Sequence, residues 1–561
     1  MTTRAVRAAT GHEPSSKQRS RLHAEPIIFA GVVLLQLVPL AIMPYVIATD
    51  GPSHVAGAWV LGHYSDADSA LQRQYYQIDF FPSPNMLTEL LLAGLMRIVS
   101  PAAAEKLLVA GYLVAFPCAV RYAVRSINHS AGWLGFLALP LTFNYLFFSG
   151  FYNFCYGVAL SIFTMAFVWR HRRRWDLWSS VVLALLLLLT YGTHLLPFAM
   201  TLLFITAMVA WDALPEARRQ RRSGIPWSSV AGNLGGHVLP PLLAALPAVI
   251  LMAAFLDRFS EMGPLKIVYK PPVRLLAGLA TPVIMLLTTY TRAEIFLSFL
   301  LTAAIVSLVI AAVRDAGRDA TRGVAAPLAG VVIIAIFLNG AVPDEVGTLS
   351  YIGNRIALYV VLFALLWLAA QPSSRRTRWF ACGTALAVAF SLALVRFPVE
   401  SRYNMHVHEF MSARQVLRPG STLVMLRLWT DTPPFARFPD QDPLLHITSR
   451  LAVETKGVDI NHREAMYSYF PVQFRSEYNL RHRFGPRFSG LKSVSEWSEL
   501  LKDDRAGRAH IDYVLLLGRR HPDQAVREDP RLTEVMDQLT KRYRRAYISE
   551  PLGLVEVYEH R

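Results

Sequence analysis

Cysteine is scarce in this sequence, and so is charge. Its 561 residues include only three cysteines, Cys118, Cys155 and Cys382. All three sit in apolar stretches, and none has the close spacing of a metal-ligand set or a redox pair. They read as small buried hydrophobes, not as a disulfide framework or a thiolate metal site. Charged residues make up 17% of the chain, against 53% hydrophobic. A soluble domain carries about a quarter charged residues, so most of this chain does not face water. Other absences narrow the chemistry. The sequence has no phosphate-binding Gly-rich loop of the Walker type and no His-Glu-x-x-His metal pair. It also lacks a Gly-x-Ser-x-Gly nucleophile turn.

Long apolar runs are what the chain does have. Residues 27–47 contain no charge at all. About 21 residues at 1.5 Å each cover roughly 30 Å, the thickness of a hydrocarbon core. Similar blocks recur to about residue 397 and then stop. The reading is an α-helical polytopic membrane protein with three parts: a disordered, basic cytoplasmic tail (1–25), a transmembrane domain (26–398) and a C-terminal α/β domain (399–561). The first block is long for a signal core and no small-x-small site follows it, so it is expected to stay as an anchor.

The formal net charge is +16, but its distribution does not suit nucleic acid. Arginines collect in short turns between apolar blocks: Arg121/Arg125, Arg170 to Arg174, Arg218 to Arg222, Arg314/Arg318/Arg322, and Arg375/Arg376/Arg378. Basic turns stay in the cytoplasm. All five share a side only if two blocks do not cross. These are 85–99, which is short and carries Glu89 and Arg97, and 271–290, which is interrupted by Arg274, Gly278 and Pro282. About eleven spans remain: 27–47, 103–122, 131–148, 153–169, 176–190, 195–211, 229–255, 294–313, 324–341, 355–370 and 379–397. The expected location is the inner (plasma) membrane, with the N-terminus cytoplasmic and the C-terminal domain extracytoplasmic. The cytoplasmic turns are too short to hold a nucleotide-sugar domain.

This map gathers polar residues on the outer face. Asp50 and His54 follow the first span, and Glu89 lies in the same long loop. Tyr152 and Asn153 lie in the next outer turn, and His194 in the one after. Arg258, Lys266, Tyr269 and Lys270 fall in the fourth, Asp344, Glu345 and Arg355 in the fifth. Ionisable groups at a membrane edge are costly unless solvated, paired or used. Solvated loops explain many of them. Asp50 is different, because it ends a long apolar block beside Gly51 and Pro52, which are expected to fix a turn.

The layout resembles the GT-C superfamily of membrane glycosyltransferases. Those enzymes carry an acidic residue just after the first span, a long first outer loop with juxtamembrane helices, and often an outer C-terminal domain. Asp50 matches the acidic position, and 85–99 matches a juxtamembrane helix. The resemblance implies sugar transfer from a polyprenyl-phosphate donor to a glycan, lipid or protein acceptor, with Asp50 as general base. Arg355 would face the departing phosphate, helped by Lys266 and Lys270. His54, Glu89, Tyr152, Asn153, His194, Tyr269, Asp344 and Glu345 would line the donor or acceptor site. Many members carry two adjacent acids in the first loop, whereas Gly51 follows Asp50 here. Divalent cations want several oxygen ligands, so a metal-independent site without a cofactor is expected.

In the C-terminal part, strands are expected at 421–429, 511–518, 547–549 and 554–558, the last two as a hairpin. Helices are expected near 443–454, 494–501 and 531–543. The alternation predicts a small α/β domain, and none of its residues is a candidate for the chemistry. The aromatic-rich stretch 467–478 suits either sugar contact or core packing. Two other functions compete. A lipid or polysaccharide transporter predicts internal repeats and mid-membrane polar groups. A scaffold leaves Asp50 and the long first loop without a purpose.

Overall fold

The first apolar block breaks before it reaches Asp50. The computed structural model describes residues 16–260, 267–315, 322–347, 349–428, 441–485, 488, 491, 494–505, 510–518 and 530–561. Helix α1 (Ser16–Leu35) begins inside the stretch expected to be disordered, and a short α2 (Val38–Ile42) follows it. The chain is then non-helical as far as Asp50. Gly51 and Pro52 do not close a turn, as the sequence suggested. They open α3 (Gly51–His63), with Asp50 as its N-cap residue. Proline suits that first turn because its missing N–H would have had no partner there. Next come α4 (Ala70–Tyr75), β1 (Tyr76–Ile78) and α5 (Leu87–Met96). At 1.5 Å per residue α5 is only about 15 Å long, half a hydrocarbon core.

The long helices follow. These are α6 (Pro101–Ile127), a broken segment, then α9 (Tyr152–His171), α10 (Leu177–Thr193), α11 (Leu195–Arg222) and α12 (Trp227–Ser260). The broken segment comprises a 3-10 helix (His129–Ala138), α7 (Leu139–Thr142) and α8 (Tyr145–Phe148). After strand β2 (Ile267–Val268), the block 271–290 divides at Thr281–Pro282 into α13 (Pro272–Ala280) and α14 (Pro282–Leu287), both too short to span. Then come α15 (Arg292–Asp315), α16 (Arg322–Ala341), strand β3 (Glu345–Val346), α17 (Ile352–Ala369) and α18 (Arg375–Met411). Strands β2 and β3 pair antiparallel.

Ten of these segments are long and apolar enough to cross a membrane. The chain is therefore a polytopic helical membrane protein. The eleventh expected span is α10, a shorter apolar helix of 17 residues. The path of the helices sorts the polar groups to two ends. The basic turns lie at one end, where Arg121 pairs with Glu25 at 2.8 Å and Arg172 with Asp212 at 3.6 Å. Asp50, the start of α9, His194 and the start of α17 lie at the other. Below that end, Arg396 of α18 and Glu294 of α15 form a fully buried pair at 2.5 Å. Glu294 also accepts three backbone N–H bonds from residues 289–291. Arg396 donates to the carbonyls of Phe143 and Leu287. A buried pair is tolerable when its other groups are satisfied in this way.

Helix α18 runs straight through the boundary expected at 398/399. Beyond it, β4 (Thr422–Arg427), α19 (Ile447–Glu454), β5 (Val458–Asp459) and β6 (Val472–Phe474) alternate. The chain finishes with α20 (Leu480–Phe484), α21 (Val494–Arg505), β7 (Tyr513–Leu517), α22 (Pro530–Arg542), β8 (Tyr543–Ile548) and β9 (Val555–His560). Five strands form one mixed sheet in the order β5-β4-β7-β9-β8, and β8–β9 is the expected hairpin. Strand β6 leaves that sheet and pairs antiparallel with β1 of the first loop, Tyr76 opposite Phe474. Helix α19 packs on α3. Arg450 of α19 reaches Glu105 of α6 at 2.7 Å, both buried. The C-terminal part is thus joined to the bundle at its polar end.

Candidate functional site

Asp50 is held in place by glycine at two positions. Its N–H donates to the Ser149 carbonyl at 3.0 Å, and the Thr49 N–H to that of Phe148 at 2.9 Å. Gly150 has φ +83°, and a Cβ there would stand 2.7 Å from the Asp50 nitrogen. A Cβ on Gly51 would stand 2.6 Å from the Tyr152 hydroxyl and 2.9 Å from a Glu105 oxygen. That contact explains why no second acid follows Asp50: position 51 has no room for a side chain.

Around Asp50 opens a cavity of about 310 Å³, at the low end of the usual range for ligand pockets. Of the residues singled out in the sequence, Asp50, His54, Asn153, His194 and Arg355 line it. They come from four stretches of chain that only the fold brings together. Glu89 stands behind His54, its Oε1 2.5 Å from His54 Nδ1. Burial alone would lower the His54 imidazole. The Glu89 carboxylate outweighs this through charge and hydrogen bond and, with Glu464 and Asp50, raises it to about 9. His54 therefore faces the cavity as a cation at neutral pH.

Arg355, in the first turn of α17, is 4% exposed and stacks over Phe151 at 4.2 Å and Phe154 at 5.0 Å. Among the described residues no carboxylate lies within ion-pair distance of it, and its Nε makes no hydrogen bond. Its Nη1 meets His194 Nε2 at 2.7 Å. His194, between α10 and α11, also has the Leu196 N–H 3.1 Å from its Nδ1. Burial, then the Arg355 charge, push this imidazole well below the usual range, so it is neutral. A neutral imidazole has one acceptor nitrogen, so it satisfies only one of the two donors, Leu196 N–H and Arg355. Asn153 Nδ2 is a further buried donor without a bond among the described residues. Such a set lacks an acceptor, and an anion supplies one.

The other expected residues lie outside the lining. Tyr152 is buried and donates to Glu105 at 2.9 Å. Lys270 pairs with Asp344 at 3.6 Å, and Asp344 also accepts from the Gly353 N–H at 3.0 Å. Tyr269 is exposed, and Glu345 sits on the β2–β3 ribbon, whose neighbours Val346 and Leu349 do line the cavity. Arg258 pairs with Asp79. Lys266 lies outside the described residues.

The C-terminal part supplies the opposite wall, and of it the sequence pointed to the aromatic stretch 467–478 but not to Arg463 or Glu464. Arg463, Glu464, Tyr467, Tyr469 and Phe470 line the cavity. Arg463 Nη1 donates to Asp50 Oδ1 at 3.2 Å across 413 residues of sequence, and His446 Nε2 lies 3.5 Å from the same oxygen. Both contacts fall on Oδ1, and no hydrogen bond to Oδ2 occurs among the described residues. Burial, then His54 and Asp50, act on Glu464, with burial and Asp50 raising it to about 8 against the lowering by His54 and Arg463. The one sequence signal was a run of ionisable residues, His462 to Glu464, directly ahead of an aromatic cluster. Among the described residues no group of three or more His, Cys, Asp or Glu could hold a metal ion. Comparison of the sequence with models of protein families and with curated proteins finds no match.

Proposed function

We propose that the protein is a membrane glycosyltransferase that moves a sugar from a polyprenyl-phosphate donor to an acceptor outside the cytoplasm. One observation carries this reading. A single cavity holds a carboxylate with one unpartnered oxygen, Asp50, and a buried cation with no carboxylate partner among the described residues, Arg355. Those are the two charges that group transfer from a lipid phosphate requires. The acceptor oxygen forms a bond to the anomeric carbon while the bond from that carbon to the phosphate oxygen breaks. The hydroxyl proton passes to Asp50 Oδ2. The electron pair leaves with the phosphate, whose growing charge Arg355, Asn153 and the His54 imidazolium stabilise. Arg463 orients Asp50 through its other oxygen. Phe255, Leu256 and Leu195 supply the apolar side of the cavity, suited to the first units of a lipid chain.

In this reading the cavity end faces outward and the five basic turns face the cytoplasm. All eleven apolar helices then cross, α10 included, and the inner membrane of the cell is the site. The resemblance to GT-C enzymes supports the same assignment through Asp50 and the juxtamembrane helix α5.

The test is turnover. The purified full-length protein in lipid discs is given a set of polyprenyl-phosphate hexoses and pentoses with mixed acceptors. Release of polyprenyl phosphate with formation of a glycoside is expected, and Asp50→Asn should abolish it. If no donor in a broad set is consumed, the glycosyltransferase reading falls and transport of a lipid-linked glycan takes its place.

A further inference from the structure

Beyond the phosphate side, the cavity has a second wall of different chemistry. Tyr467 and Tyr469 stack with centroids 5.3 Å apart and planes 17° from parallel. Phe470 lies 5.0 Å from Tyr469 and 5.8 Å from the His54 ring. Glu464 lines the same cavity as these rings and Asp50. It is 6% exposed, yet its Oε2 makes no hydrogen bond among the described residues. A buried carboxyl oxygen without a partner is costly, so the cavity is built to receive a group that bonds to it.

We propose that Glu464, Tyr467, Tyr469 and Phe470 form a carbohydrate subsite, so that the hydroxyl presented to Asp50 belongs to a sugar residue of a glycan. This rests on the glycosyltransferase reading and narrows its acceptor from three classes to one. A pyranose ring has an apolar C–H face and a rim of hydroxyls. The aromatic faces take the first. The carboxyl groups of Glu464 and Asp50, which both line the cavity, take the second. Hydroxyls donate and accept together, and a protonated carboxyl does the same. Burial, with the Asp50 charge, raises the Glu464 pKa to about 8 and so favours the protonated carboxyl at pH 7. The charged groups facing it are Asp50 at the start of α3, His54 on α3 and Arg463 on its own loop. Saccharide affinity should therefore weaken as pH rises through about 8 and Glu464 ionises.

Two measurements on the full-length protein test this. The first is binding without donor. Methyl hexosides, methyl pentosides and short oligosaccharides are screened by saturation-transfer NMR, with a Ser/Thr peptide and a glycerolipid headgroup as competitors. Saccharide binding is expected, with Glu464→Ala and Tyr469→Ala weakening it about 10-fold, as loss of one good hydrogen bond or ring contact does, while Glu464→Gln, which donates and accepts as a protonated carboxyl does, should keep the affinity and lose its pH dependence. Tyr469→Phe, which keeps the ring, should retain it. The second is transfer, where the two alanine variants should raise the saccharide KM more than the donor KM. Binding of the peptide or headgroup in preference to every saccharide would overturn the proposal, as would saccharide affinity indifferent to both alanine variants. Saccharide binding without any transfer would sink the glycosyltransferase reading and leave the subsite standing.

Discussion

At the scale of single residues, the cavity is defined by groups whose bonding is incomplete. Asp50 leaves Oδ2 open, and Asp50→Asn keeps size and the Arg463 bond while removing the basic oxygen. General-base contributions are about 100- to 10,000-fold, so turnover should fall at least about 100-fold with donor still bound, measured as sugar transferred per minute. Asp66→Asn is the contrast. Asp66 pairs on the surface with Arg97 at 2.9 Å, and its loss should leave the rate near wild type. Arg355→Ala should weaken donor binding. Arg355→Lys should rescue it only in part, because lysine cannot form the planar two-point contact with phosphate. Equal donor affinity in wild type and Arg355→Ala would remove Arg355 from the site. His54 adds a pH dependence. Its acidity in the fold, about 9, lies above the ordinary 6.5 of the unfolded chain. The stability it contributes is complete below pH 6.5 and is lost as pH rises through 9. Tm should drop over that window, and drop less in Glu89→Gln, where the raising charge is gone.

At the scale of elements, the expected strands and helices of the C-terminal part formed because their patterns are local. The apolar run of β7 and the hairpin of β8 and β9 need only neighbouring residues to be recognised. Both demoted blocks were also legible, since length, Pro282 and internal charge limit α5, α13 and α14 without reference to the rest of the chain. The start of α3 was not. Gly-Pro after an acid reads equally as a turn and as the first turn of a helix, and the choice depended on packing against α5 and α19. The aromatic stretch from Tyr467 was legible as a sugar contact or core packing, but its meeting with Asp50 through Arg463 was hidden for a related reason. Nothing within residues 463–470 says that Arg463 will meet Asp50. That contact follows from β6 pairing with β1 and from the tie between α6 and α19. The latter tie is open to measurement. Breaking a buried pair by removing one partner costs about 3–5 kcal/mol, so Arg450→Met should lower the unfolding temperature sharply. Adding Glu105→Gln should recover part of the loss. No recovery would mean that Arg450 matters for packing rather than for charge.

At the scale of the whole molecule, basic turns at one end and the cavity at the other define a direction that labelling can read. In a background without the native cysteines, Arg314→Cys should stay unlabelled by an impermeant maleimide added from outside, and Lys502→Cys should react. Both positions are exposed. The opposite pattern would turn the molecule over and place its cavity in the cytoplasm, where a lipid-linked donor facing outward is out of reach. The buried Arg396–Glu294 pair also matters at this scale. It is saturated with bonds to three segments, as a fixed strut is, whereas a translocation pathway needs charges free to change partners.

The bond from Arg463 to Asp50 carries a consequence for synthesis. The carboxylate leaves the ribosome near the beginning of translation, and the guanidinium that orients it comes more than four hundred residues later. Until then, a growing chain already threaded into the bilayer has Asp50 but lacks the wall that meets it. On the proposed function, a product truncated before Arg463 would sit in the membrane inert and would not spend lipid-linked sugar on water. Co-expression of the two pieces as separate polypeptides should restore turnover only to the extent that β6 finds β1.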